Sequence, residues 1–197
     1  MNWFSILIFI LWIYLLTVQK RGKLDFWYFI TGSVGFFIFS IIWIEPIVVG
    51  PMQKAVAAVS GILGQLTGLY ESYFQKGIIF ISSGGTNLSL YIDFECSGII
   101  ETMAFIALLW FFPVYRLYEK IVVSIAGALL IFASNVLRIF VICFTIYCFG
   151  GEMYFLAHTI IGRLVFYACT ITLYFYVFTK SQIIRQKVGA FRYEIHK

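Results

Sequence analysis

One almost uninterrupted apolar segment runs from Lys120 to Gly150, and after Lys120 it contains a single charged side chain, Arg138. A helix of a water-soluble protein needs a continuous polar face, and this segment has none. It is long enough to cross a hydrocarbon core of roughly 30 Å, which takes about 20 helical residues. The segment therefore predicts a membrane-spanning helix. Burying an arginine at its centre would cost at least about 2.5–3.5 kcal/mol, so Arg138 indicates a partner or a water-filled cavity.

The whole chain has a membrane protein's composition, with 62% hydrophobic and 12% charged residues and a mean hydropathy of +0.96. We predict an all-α integral membrane protein in one domain, residues 1–197, with its core at 46–179 and a basic tail at 180–197. Five spanning helices are expected, at Trp3–Val18, Asp25–Trp43, Gly98–Phe112, Ile121–Phe149 and Ala157–Thr179.

The net charge of +5 lies at the ends of apolar segments, which favours a membrane topology signal over nucleic-acid binding. Three basic clusters carry it: Lys20, Arg21 and Lys23; Arg116 and Lys120; and Lys180, Arg185, Lys187, Arg192 and Lys197. If all three are cytoplasmic, residues 46–97 are extracellular. The sequence thus predicts a multi-pass cell-membrane protein.

Two parts of this extracellular region have their own patterns. Residues 48–69 are only moderately apolar, and we interpret them as an interfacial or re-entrant amphipathic helix, with a sixth span as the weaker alternative. Residues 78–82 and 88–94 flank a glycine-rich turn, and strict alternation in the second segment predicts a small β-hairpin. Extending that alternation to Cys96 puts its sulfur on the apolar side, away from Asp93 and Glu95.

Three chemically active side chains are predicted at one depth. Arg138 lies 18 residues after Lys120, which is roughly 27 Å of helix and close to the outer limit of the hydrocarbon core. His158 begins the last predicted helix at about the same level, and Cys96 immediately precedes the third. The topology therefore predicts a thiol, a guanidinium and an imidazole near the outer surface.

This combination suits a cysteine nucleophile. Nearby cations and a helix N-terminus lower a thiol's pKa from about 8.5, and Ser97 and Gly98 suit the start of a helix. Arg138 could stabilise an oxyanion and His158 could move protons, so the set indicates acyl transfer through a thioester.

Each residue also has a purely structural interpretation. Cys96 could be a buried structural thiol, His158 an interfacial hydrogen-bonding side chain, and Arg138 a side chain reaching the headgroups. The supporting residues are equally open: Asn135 could bridge helices, Glu101 could satisfy a helix dipole or pair with Arg138, and Arg163 is an alternative cation.

Three sequence blocks in order add a family resemblance: FECSGI at 94–99, NVLRI at 135–139 and AHTIIGRLVFY at 157–167. They resemble the signature blocks of the exosortase/archaeosortase family of integral-membrane cysteine transpeptidases, and the small size is similar to a compact Gram-positive branch. The resemblance covers about residues 46–179. It implies that Cys96 is the nucleophile, Arg138 the catalytic arginine and proton donor, and His158 the third catalytic residue. The acidic Glu101 is a departure from the family pattern.

The resemblance also implies partners. They are exported proteins with a C-terminal sorting signal that includes a transmembrane helix, a lipid or glycan acceptor, and membrane lipids; no nucleic acid, metal or organic cofactor is expected. The active site would face the extracellular side. The alternative function is a non-enzymatic scaffold subunit of a surface-polysaccharide or export system, for which Cys96 would be replaceable.

Overall fold

The computed structural model describes residues 3–83, 86–94 and 96–184. The predicted turn residues 84–85, Glu95 and the tail from residue 185 lie outside this description. The elements in chain order are α1 (Trp3–Arg21), α2 (Asp25–Trp43), α3 (Glu45–Thr67), β1 (Glu71–Tyr73), β2 (Ile78–Ser83), β3 (Thr86–Tyr91), α4 (Ile99–Phe111), α5 (Leu117–Phe149) and α6 (Gly151–Ile184).

Four of the described helices have the length and composition of membrane spans, which confirms the predicted all-α membrane architecture. In the described part of the chain, α2, α3, α5 and α6 are long and apolar enough to cross a bilayer. Helix α1 has 19 residues, and its Leu7, Ile10 and Leu11 are exposed, as expected for a surface that faces lipid. Helix α4 is apolar but has only 13 residues, or about 20 Å, so it is the short helix that the sequence predicted.

The described members of the three basic clusters gather at one end of the bundle, which we call the basic end. There the start of α2, the end of α4 and the end of α6 meet: the Phe112 ring lies 6.2 Å from Phe29 and 5.1 Å from Phe178. The hydroxyl of Tyr115, just before α5, donates to the Val177 carbonyl at 2.6 Å. The aromatic contacts therefore hold the three segments that carry the basic clusters together.

Two apolar cores stabilise the bundle. The core nearer the basic end contains Phe105 and Leu109 of α4, Ile131 of α5 and Phe166 of α6. The second core lies at the opposite end, which we call the sheet end. Its members come from α3, the sheet and the last part of α5: Val56, Ala57, Ile79, Ile81, Leu90, Ile92, Val136, Ile139, Ile142, Cys143 and Ile146, among others.

Helix α3 covers the sheet end. The Tyr70 hydroxyl donates to the Ser60 carbonyl, and the Ser72 hydroxyl donates to the Ala57 carbonyl, each at 2.7 Å. These bonds join α3 to β1, and Val56 and Ala57 pack in the same core as the outer part of α5. The predicted helix is therefore present and extends over Glu45–Thr67. Its interfacial or re-entrant position stays a prediction, since its length would also permit a span.

The small sheet contains the predicted hairpin and one strand that we did not predict. Its order is β1-β2-β3, with all neighbours antiparallel, and the β2–β3 register runs from Ile78 opposite Tyr91 to Ser83 opposite Thr86. Strand β1 is too short, at three residues, to give a recognisable pattern. The strand is shorter than predicted, because the chain leaves the sheet after Ile92 and turns. The predicted position of Cys96 on the apolar side is confirmed, since its side chain is buried in the sheet-end core.

Helix α6 begins and ends beyond its predicted limits and is locally widened. It follows Gly150, and residues Ala157–Ile161 and Phe175–Lys180 within it are π-helical. Widened turns of this kind occur frequently at functional sites, because they redirect side chains without ending the helix. The first of them contains His158.

Candidate active site

The thiol of Cys96 lies between an imidazole and a guanidinium. Its Sγ is 3.3 Å from Nε2 of His158, and Nη2 of Arg138 donates to the same sulfur at 3.5 Å. The three side chains come from the loop before α4, from α6 and from the middle of α5. The structure therefore brings together the three residues that the sequence selected as catalytic candidates, at distances that permit direct proton transfer and charge stabilisation.

A compact loop presents the thiol. The backbone N–H of Cys96 donates to Oδ1 of Asp93 at 2.9 Å, and the N–H of Ser97 donates to the Phe94 carbonyl at 3.2 Å. The hydroxyl of the buried Ser97 donates to the same Phe94 carbonyl at 2.7 Å. These bonds form consecutive turns of the kind that aspartate and serine favour. The side chain of Asp93 thus fixes the loop that carries Cys96.

Asn135 joins this loop to α5. Its Nδ2 donates to the Cys96 carbonyl at 2.7 Å, and its side chain is completely buried. Because Asn135 lies one turn before Arg138, the same helix face holds the backbone of Cys96 and contacts its sulfur. The interpretation of Asn135 as a bridge between elements agrees with this contact, although it ties α5 to a loop.

Gly98 allows α5 and the loop to approach each other. Its φ is +73°, in the left-handed region that favours glycine, and a Cβ there would lie 3.4 Å from Cβ and Cγ of Asn135. Directly after it, α4 begins, and the Thr102 hydroxyl donates to the Gly98 carbonyl at 2.8 Å. Gly98 therefore satisfies a backbone requirement, and a side chain added there would contact Asn135 directly.

We expect Gly98→Ala to reduce the rate of catalysis by about tenfold or more while the protein still inserts and folds. The left-handed backbone costs an alanine roughly 1–2 kcal/mol, and relief of that strain would shift the Cys96 loop against Asn135. Gly68→Ala is the matched control, because Gly68 has φ +68° but a Cβ added there would meet nothing within 4 Å. Processing activity and thermal stability in detergent are measured for both variants. Equal losses of activity in the two would contradict a specific role for Gly98.

Arg138 is almost completely buried, at 5% exposure, and its surroundings are mostly apolar. Besides the bond to Cys96, its guanidinium carbon lies 5.9 Å from the ring centre of Phe166, and its buried Nε has no hydrogen-bond partner in the described structure. A buried charge is unfavourable without a counter-charge. A thiolate at Cys96, or an oxyanion formed beside it, would supply one, so snorkelling to the headgroups does not describe this side chain.

His158 is the least buried of the three. Its ring stacks on Tyr154, four residues earlier, with centroids 5.6 Å apart and an angle of 14° between the planes. The stacking and the π-helical turn set the direction in which Nε2 points. Tyr154 was not among the predicted site residues, although it lies four residues before a candidate histidine, a spacing that puts two side chains side by side on a helix.

Glu101 and Arg163, the two other charged residues considered for this site, have different surroundings. Glu101 is in the first turn of α4 and lines a groove, and Arg163 is exposed on α6, five residues after His158. Arg138, and not Arg163, supplies the guanidinium that contacts the Cys96 sulfur. The described residues contain no cluster of three or more His, Cys, Asp or Glu side chains suited to a metal ion.

The groove runs from the level of the site towards the basic end. It has a volume of about 700 Å³, its walls are α4 and α6, and Phe29 of α2 closes part of it. Most of its lining is apolar or aromatic: Leu108, Phe112, Tyr167, Ile171, Tyr174, Phe175 and Phe178, with Glu101, Thr170 and Thr179 as polar exceptions. An open apolar groove within a membrane bundle is suited to an apolar chain or helix.

A comparison with known protein families shows which family the chain belongs to. The family model described as transmembrane exosortase matches residues 1–175, which include every residue of the candidate site. The chain belongs to the transmembrane exosortase family. The match extends from the resemblance region towards the N-terminus and includes α1 and α2 of this exosortase. Comparisons with curated proteins and with solved structures gave no match.

Proposed function

We propose that this exosortase is a membrane-embedded cysteine protease and transpeptidase. It removes the C-terminal sorting signals of exported proteins and transfers the remaining protein, as an acyl thioester, to a lipid or glycan acceptor at the cell surface. The observation that carries the proposal is the contact of one sulfur with both an imidazole nitrogen, at 3.3 Å, and a guanidinium nitrogen, at 3.5 Å. A structural cysteine does not require either group.

The reaction follows the usual order for a thiol nucleophile. His158 accepts the proton of Cys96, and the thiolate attacks the scissile carbonyl to form a tetrahedral oxyanion. His158 then donates its proton to the leaving amine as the C–N bond breaks, which leaves an acyl thioester on Cys96. A hydroxyl or amine of the acceptor, deprotonated by His158, attacks the thioester and releases the thiol.

Arg138 acts in this scheme through its charge. A guanidinium stays protonated under ordinary conditions, so we assign it the stabilisation of the thiolate and then of the oxyanion, instead of the proton donation that the family resemblance implied. Its partnerless Nε is an additional donor beside the reacting atoms. The role of general acid falls to His158.

Two helix lengths support a site near one membrane surface. Nζ of Lys120 donates to the Trp110 carbonyl at 2.5 Å, so the start of α5 and the end of α4 lie at one level. The distance from that level to the site is about 20 Å along α4 and about 27 Å along α5. Both distances are shorter than a hydrocarbon core of roughly 30 Å. With the basic end in the cytoplasm, the site lies towards the extracellular surface. The groove beside α4 offers the substrate's transmembrane helix a position directly below Cys96.

The pH dependence of thiol labelling distinguishes this enzyme from a scaffold. We expect a small neutral methanethiosulfonate to react with Cys96 nearly as fast at pH 6.5 as at pH 8.5, because Arg138 and His158 favour the thiolate. An unassisted thiol, with a pKa of about 8.5, would react roughly fiftyfold more slowly at the lower pH. Labelling is measured in membranes by peptide mass spectrometry, and the exposed Cys148 in the same molecule is the reference. A fiftyfold decrease at Cys96 would favour the scaffold.

A further inference from the structure

We propose that the free edge of β3 binds the extended segment of the substrate next to the scissile bond, as a fourth strand of the sheet. This inference rests on the proposed function and extends it to substrate recognition. Adding a peptide strand to an open sheet edge is a common recognition mode, in which main-chain hydrogen bonds supply affinity and alternate side chains supply selectivity.

The two edges of the sheet differ. Strand β1 has three residues, includes Glu71 and is covered by α3 through the bond from Ser72 to Ala57. Strand β3 has six residues, TNLSLY, without a charge or a proline, and no other described element besides β2 packs extensively on it. Proteins usually protect an exposed edge by shortening it, charging it or covering it. One edge is protected in all three ways, whereas the other is protected in none, which indicates that β3 has a partner.

The register shows which groups β3 offers. The N–H of Ile92 donates to the Gly77 carbonyl at 2.9 Å, so these opposite residues form a hydrogen-bonded pair. Such pairs alternate along antiparallel strands. Leu90 and Leu88 therefore bond to β2, while Asn87, Ser89 and Tyr91 direct their N–H and C=O groups away from it. The side chains of these three residues are also exposed.

The free edge leads directly to the nucleophile. Tyr91 is five residues before Cys96, and the bond from the Cys96 N–H to Asp93 folds this connection into a turn. Two residues of chain, one turn and the cysteine side chain together span at most about 17 Å. An extended peptide rises about 3.4 Å per residue, so a segment paired with Ser89 and Tyr91 lies within about five residues of a carbonyl at the Cys96 sulfur. That proximity favours substrate over a second copy of this chain as the occupant.

The test uses one backbone donor at the edge. Ser89→Pro removes the outward N–H and obstructs pairing, yet it leaves the β2–β3 hydrogen bonds intact, because proline is tolerated where the N–H faces away from the sheet. Ser89→Ala is the matched control, since it keeps the N–H. We expect Ser89→Pro to raise KM for a synthetic sorting-signal substrate by about tenfold or more, while Ser89→Ala is unchanged and Cys96 labels at the same rate in both.

A second measurement leaves the enzyme unaltered. Replacing single amides of the substrate by esters removes one N–H at a time, and edge pairing predicts losses of binding at every second position within about five residues of the scissile bond. An unchanged KM in Ser89→Pro would overturn the proposal, and so would an ester scan in which all positions lose binding equally. If Ser89→Pro instead turned a dimer of this protein into a monomer with no change in KM, the edge would bind a second copy of the chain and not the substrate. Failure of the proposed function is separate, because it would be seen as normal processing by Cys96→Ala.

Discussion

Cys96→Ala is expected to abolish processing, with a loss of at least about a thousandfold, while the protein inserts and folds normally. Removing the nucleophile of a covalent mechanism eliminates the thioester route and leaves only what binding and charge stabilisation provide. The side chain is only 2% exposed, but exchanging its sulfur for hydrogen leaves a small cavity. Processing is measured as the release of a sorting-signal peptide from a substrate reconstituted in the same membrane.

The matched control for this prediction is Cys143→Ala. Cys143 is completely buried in the same sheet-end core, so its replacement has a similar packing cost without touching the reacting groups. We expect Cys143→Ala to process at close to the normal rate. Normal processing by Cys96→Ala, or an equal loss of processing in both variants, would remove the basis for assigning the nucleophile.

Arg138→Lys is expected to lower kcat by about a hundredfold to a thousandfold, the range observed when one oxyanion donor is removed. Lysine keeps the positive charge, but its single ammonium cannot both contact the Cys96 sulfur and direct a second donor at the oxyanion. Because Arg138 is buried, the variant's thermal stability is measured beside its activity. A loss of activity with retained stability identifies a chemical role.

Arg163→Lys is the matched control for Arg138→Lys. Arg163 is exposed on α6, and we expect its conservative replacement to leave kcat unchanged. This pair of variants also decides between the two cations that the sequence offered for the site. Normal activity of Arg138→Lys together with an inactive Arg163→Lys would reverse the assignment.

The features that depend on the membrane, namely the positions of the apolar helices and of their basic ends, were the most predictable from sequence. Apolar length and basic ends identified α2, α5 and the short α4, because a bilayer selects helices by hydrophobicity and length alone. The same two quantities predicted the depth of Arg138, and the structure places Cys96 in contact with Arg138 and His158 in contact with Cys96. A residue's distance from a charged helix end is a local property, so it can be counted along the chain.

The loop and the sheet were less predictable, because tertiary contacts decide them. The alternation from Leu88 to Phe94 predicted a longer strand, but the side chain of Asp93 binds the Cys96 amide and ends the extended conformation. Strand β1 exists because α3 and β2 hold it on both sides, and its three residues carry no pattern. The π-helical turn at His158 could likewise not be predicted from the spacing of apolar residues along the sequence.

The measurement that tests the central claim most directly is mass spectrometry of a trapped acyl-enzyme. The wild-type protein is mixed with a sorting-signal substrate, quenched in acid and digested, and the peptide that contains Cys96 is analysed before and after neutral hydroxylamine. We predict an acyl group on Cys96 that hydroxylamine removes and that accumulates when the acceptor is withheld. Continued processing with an unmodified Cys96, or an acyl group on a different residue, would contradict the account.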